Sequence, residues 1–122
     1  MQFPEYVRIG AQTYEIQLTD EPILIDHQEC SGGIFYMDSV IKIRADLPYD
    51  RMWMTLWHEI FHGFTEDRGL DIGEADEENV VEAFARSMHL FVQDNPDIFE
   101  ERCCREVEFR MESGCPISDK ED

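Results

Sequence analysis

The chain has 122 residues and a net charge of -18. Its hydrophobic share of 43% supports a folded core without disulfide staples, and its length bounds it to about one domain. The acidity argues against direct nucleic-acid binding, and no apolar run approaches the roughly 18 residues of a membrane span.

The opening MQFPEYVRIG lacks the basic-then-apolar order of a signal peptide, so a cytoplasmic location is expected. Residues 7–18 alternate around Gly10-Ala11-Gln12 and predict a hairpin, with Val7, Ile9, Tyr14, Ile16 and Leu18 as its apolar positions. Thr19-Asp20-Glu21-Pro22 is a turn cluster, and Ser31-Gly32-Gly33 breaks the chain again. IFYMD and SVIKIRA then read as two strands joined by a tight turn near Asp38-Ser39. Ile41 and Ile43 alternate with Lys42 and Arg44, giving one buried and one wet face. The expectation for this third of the chain is a small antiparallel sheet of three or four strands.

A helix follows, with Asp46 or Asp50 as its N-cap and Gly69 as its stop. Trp53, Leu56, Trp57, Ile60 and Phe64 recur at helical spacing, so this helix is expected to be largely buried, with Trp53 and Trp57 in the core. A polar connection leads to a second helix from Asp76 to Asp94, capped by Asp76, with Val81, Phe84, Met88 and Phe91 as its apolar stripe. Asn95-Pro96 stops it and opens a third helix, running to about Glu112. The domain is therefore taken as residues 1–113, with 114–122 a tail. Cys30, Cys103, Cys104 and Cys115 contain no CxxC pair and are expected to be free thiols, Cys103 or Cys104 filling core space.

The first helix carries HEIFH, residues 58–62. Residues four apart on a helix share a face, so His58 and His62 can share one metal ion. Glu59 sits beside the first histidine, where it can take a proton from metal-activated water without being a ligand itself. Two histidines and a glutamate inside an apolar helix are costly unless paired or bound to a cation. A catalytic zinc usually takes three protein ligands. His27 and His89 are available for the third but sit in no recognisable arrangement. Glu78 and Glu82 lie one turn apart on the next helix: Glu78 can complete the metal site, and Glu82 can hold a histidine ring from behind. Glu74, Asp76 and Glu77 read as a solvated first turn. Tyr36 and Tyr49 are candidates for stabilising a developing oxyanion.

HEIFH followed by a helix reading E-x-x-V-E-x-F-A resembles the small zincin-type metallopeptidases of the ImmA/IrrE-like family. Aligned on Phe84-Ala85, the family's third zinc ligand falls on Glu78, and Glu82 stands where the family has Asn. The strand region, with Gly33 and Ile41-Lys42-Ile43, extends the resemblance over roughly residues 5–95. It implies a minimal zincin-like α+β fold, a sheet packed on the HExxH helix with two further helices. It also implies a Zn²⁺ cofactor held by His58, His62 and Glu78, with Glu59 catalytic and Glu82 behind a ligand. The implied activity is hydrolysis of a protein or peptide substrate; similar short proteins occur in phages and prophages, and better-known family members, which usually carry an extra DNA-binding or sensor domain, cleave transcriptional repressors. A second reading comes from charge. Residues 1–65 carry ten acids and four bases, residues 66–122 eighteen and six, so a non-enzymatic acidic binder with a structural zinc, imitating DNA, is the alternative.

Overall fold

The computed structural model describes residues 3–99. Strands β1 (Tyr6–Ile9) and β2 (Gln12–Thr19) form the expected hairpin, with Ile9 opposite Gln12. Gly10 stands at φ 61°, as the first position of a type II′ turn requires, and a Cβ there would run into the Asp67 carboxylate. Strands β3 (Ile23–Ile25) and β4 (Gln28–Cys30) make a second hairpin, which the sequence did not announce. Its turn residues Asp26 and His27 both have positive φ, the I′ geometry, without the glycine that usually signals it. Strands β5 (Gly32–Phe35) and β6 (Val40–Arg44) pair as read from the sequence.

The sheet is mixed, not antiparallel. Its order is β1-β2-β6-β5, and β2 runs parallel to β6, with Ile16 beside Ile41 and Leu18 beside Ile43. A parallel pair needs a long crossover, and residues 20–39, carrying β3, β4 and β5, provide it. Alternation identifies a half-buried strand but says nothing of its neighbour's direction.

Helix α1 (Tyr49–Arg68) packs on β1, β5 and β6. Ile9, Tyr14, Ile16, Ile41 and Ile43 meet Met52, Leu56 and Ile60 in one core. Trp53 and Trp57 are only partly buried and flank this core, with ring centroids 6.3 Å apart. Phe64 is exposed, so α1 is less buried than its stripe implied. Neither expected N-cap is found. Pro48 holds the cap position without a side-chain bond, Asp50 lies inside the first turn, and Asp46 pairs with Arg44. The stop is as expected: Gly69 is left-handed, and N–H groups of Gly69 and Leu70 donate to the carbonyls of Glu66 and Thr65.

Helix α2 (Glu74–Asp94) starts two residues before the expected Asp76, which is therefore in its first turn and not its cap. Asp71 instead accepts from the Gly73 N–H just ahead of it. The buried stripe is Val81, Ala85, His89 and Val92, while Phe84 and Phe91 are exposed. Both stripes have helical spacing, and only packing selects between them.

Two compact units divide the chain within α2, Met1–His89 and Leu90–Asp122. Of the second, the described part is the end of α2 and a 3-10 turn, Pro96–Phe99. Asn95 stops α2, its N–H bonding back to the Phe91 carbonyl. The rest of the expected third helix, Cys103, Cys104, Cys115 and the tail lie outside the described residues. Cys30 is a free thiol. No helix among the described residues is long and apolar enough to cross a membrane.

Candidate metal centre

The residues lining one side of α1 into a cleft recur as Arg51, Met54, Thr55, His58, Glu59 and His62, a single helical stripe. Antiparallel to it, α2 contributes Glu77, Glu78 and Glu82. The pairing is visible in the contacts: His62 meets Glu77 and His58 meets Glu82. Strand β5 closes the third side with Gly32 and Ile34. The cleft encloses about 740 Å³.

His58, His62 and Glu78 are the one group among the described residues whose ligand atoms converge, all within 4.8 Å of one another. The two Nε2 atoms are 3.2 Å apart. Glu78 places Oε1 3.3 Å from His58 Nε2 and Oε2 2.9 Å from His62 Nε2. Ligands at ~2.0–2.1 Å around a tetrahedral zinc stand ~3.3 Å from one another, so this triangle has the size of one tetrahedral face.

The opposite edges of both rings are held. His58 Nδ1 lies 2.9 Å from Glu82 Oε1. His62 Nδ1 lies 2.7 Å from Glu77 Oε2, which also accepts from Thr65 Oγ1 at 2.9 Å. Both carboxylates sit below their ordinary pKa: Glu77 chiefly through its bond to His62, Glu82 chiefly through its bond to Arg86. Charged carboxylates only accept, so each Nδ1 carries the proton and donates. In the neutral rings both Nε2 lone pairs then point at each other and at Glu78. Four acceptor atoms converge with no donor among them, an arrangement relieved by a cation or by protonating a ring. The donor set fits a zinc ion: two imidazole nitrogens and a carboxylate, with solvent access through Glu78, the exposed member.

Compared with family models, curated proteins and solved structures, the chain matches none.

Glu59 is the buried acid of the site, 7% exposed. Loss of water pushes its carboxyl up to about 7, His58 opposing and Glu78 adding to the rise. Gly32 lies beside it and is required by its other neighbours: a Cβ there would fall 2.6 Å from Thr55 Cγ2 and 3.0 Å from the Lys42 carbonyl oxygen, but only in ordinary contact, 3.7 Å, with Glu59 Oε2. Tyr36 lines the cleft, its hydroxyl donating to the His62 carbonyl at 3.2 Å. Burial pushes that hydroxyl's pKa up, so it stays protonated. Tyr49, by contrast, begins α1 and stacks edge-on with Phe3 and Trp53, outside the cleft lining. His27 is in the β3–β4 turn and His89 in the buried stripe of α2; neither joins the converging group.

Sequence reading passed over Glu77, Thr65 and Arg86. The sequence puts Glu77 in a solvated first turn, yet it holds His62. The available signal was weak: Thr65 lies three residues after His62 and so shares its face. Arg86 follows Glu82 by one turn and bonds its Oε2 at 2.8 Å.

Proposed function

We propose that the protein is a zinc-dependent peptidase of the HExxH type, with His58, His62 and Glu78 as ligands and Glu59 as general base. The observation that carries this reading is the buried Glu59 beside a three-ligand triangle that opens onto a cleft. A structural zinc is usually closed by four protein ligands, and such a site has no use for a buried carboxylate next to an open side.

A zinc ion held there supplies Lewis acidity, polarising a substrate carbonyl and making water acidic near neutral pH. The chain's own residues do the rest. Glu59, its affinity for protons raised by burial, accepts a proton from the attacking water and delivers it to the leaving nitrogen. Glu82 and Glu77 hold the two imidazoles in the tautomer that leaves Nε2 free. Burial keeps Glu59 largely out of bulk water. Strand β5 is an edge of the four-stranded sheet, buried at Gly32 and Gly33 and half-buried at Ile34 and Phe35, and this second half is where an extended peptide would pair. The resemblance of HEIFH and the Glu78 helix to ImmA/IrrE-like peptidases directs the search for a substrate to regulatory proteins of phages and mobile elements.

The strong negative charge supports a second reading, an acidic binding protein in which the zinc is structural. One experiment separates them. Metal content is measured by elemental mass spectrometry on the wild type and Glu78→Ala, and hydrolysis of a peptide library on the wild type and Glu59→Gln. The peptidase reading expects about one zinc per chain, weakened in Glu78→Ala, and a kcat reduced ~10²–10⁴-fold in Glu59→Gln with zinc retained. A chain that takes up no zinc on reconstitution, or hydrolyses equally well as Glu59→Gln, sinks it.

A further inference from the structure

The cleft has two ends. The metal centre lies toward the C-terminal half of α1. At the other end stand Arg51 and Arg86, one on each helix. Arg51 precedes His58 by two turns, ~10 Å along the axis, and Arg86 follows Glu82 by one turn, ~6 Å. Because α2 runs antiparallel to α1 here, both displacements point the same way from the metal centre. Met54, Ile25 and Cys30 line the same cleft.

Among the described residues the fold leaves Arg51 uncommitted and engages Arg86 only in part. Arg51 makes no ion pair among the described residues. Arg86 commits its Nε to Glu82, and its two terminal amino groups have no partner among the described residues. Of the other described basic side chains, Arg44 pairs with Glu29 and Asp46, Arg68 with Asp67, Lys42 lies over the Phe35 ring, and Arg8, on β1, is not in the cleft lining. In a chain of charge -18 the long-range field repels anions, so a ligand for this pair has to be recognised at short range. Guanidinium groups do this through paired N–H bonds to the two oxygens of a carboxylate.

We propose that Arg51 and Arg86 form a carboxylate subsite that sets the substrate class: a polypeptide with a free carboxylate within about three residues of the bond cleaved. The spacing follows from ~6–10 Å of helix against the ~3.3–3.6 Å that an extended peptide advances per residue. The carboxylate is either the substrate's own C-terminus or an Asp or Glu side chain. Both present the same two oxygens. The inference rests on the peptidase reading for the meaning of the cleaved bond, but the subsite itself is testable without turnover.

The test uses the full chain as the zinc-loaded Glu59→Gln variant and four apolar peptides of one length: a C-terminal acid, its amide, and two amides carrying Glu or Gln near the end. Calorimetry reads the dissociation constants. An acid is expected to bind about tenfold or more tightly than its neutral counterpart, with that preference lost in Arg51→Gln and partly kept in Arg51→Lys. Preference for the terminal acid over its amide assigns the chain terminus, and preference for Glu over Gln assigns the side chain. A carboxylate that only reached the zinc would be indifferent to Arg51, and that result overturns the proposal. So does equal binding of acids and amides, or no binding of any peptide. Arg86→Met is a second variant expected to weaken the acids. If the preference is present but the zinc-loaded wild type cuts none of the four peptides or a wider library, the peptidase reading falls and the subsite stands.

Discussion

Helix α1 has two neighbours of opposite kind. Toward the sheet it presents Met52, Leu56 and Ile60 to five buried sheet residues, a contact made of apolar surface. Toward α2, on the site face, it presents His58, His62 and Thr65, which meet Glu77, Glu78 and Glu82. The first contact is indifferent to protons and metal. The second consists of groups whose charge depends on both. One helix is thus anchored by an apolar layer on one side and carries a layer of ionisable groups on the other.

Breaking the apolar layer should have the largest effect. Leu56 is 1% exposed, and Leu56→Ala should lower unfolding free energy by ~2–5 kcal/mol, equally with and without zinc. A denaturant titration in both conditions checks this. A loss confined to the zinc-loaded protein would contradict the division between the layers.

The polar layer should show itself through pH in the metal-free chain. Glu59 titrates at about 7 when folded and near its ordinary 4.5 when unfolded. Its contribution to stability is complete below pH 4.5 and is lost as pH rises through 7, because the folded chain then holds the proton that the unfolded chain has released. The loss amounts to up to ~3 kcal/mol. Chelated wild type and Glu59→Gln, melted between pH 5 and 8, should diverge, the variant keeping the flatter profile. Parallel profiles would remove burial as the property that sets Glu59 apart.

Next in size come the carboxylates behind the rings. Glu77→Gln and Glu82→Gln should each weaken zinc affinity ~10–100-fold while leaving the metal-free fold intact. Competition against a chromophoric chelator measures it. The smallest effect concerns the end of α1. A Cβ on Gly69 meets nothing within 4 Å, so Gly69→Ala should cost only the left-handed backbone, ~1 kcal/mol, and leave zinc affinity unchanged.

Much of the candidate site could be read because helical spacing is a local property. His58 and His62 share a face by being four apart, and Glu78 and Glu82 do the same. Glu77 was missed for a physical reason. Adjacent residues on a helix point ~100° apart, so only the packing of α2 on α1 reveals that Glu78 and Glu77 both reach His62, one at each ring nitrogen. The stripe of α2 failed likewise: Phe84 and Ala85 both continue the period from Val81, and Ala85 is the one buried.

The sequence by itself determined the β1–β2 and β5–β6 hairpins, the left-handed stop at Gly69, and the shared helix face of His58 and His62. These are encoded by neighbours within a few residues, through turn chemistry and periodicity. Only the tertiary structure decided that β2 and β6 lie parallel, that Glu59 is buried, and that Glu77 and Arg86 reach the site. Each depends on which surfaces meet across long stretches of chain. That choice is set by the summed burial of the whole core, which no local pattern contains.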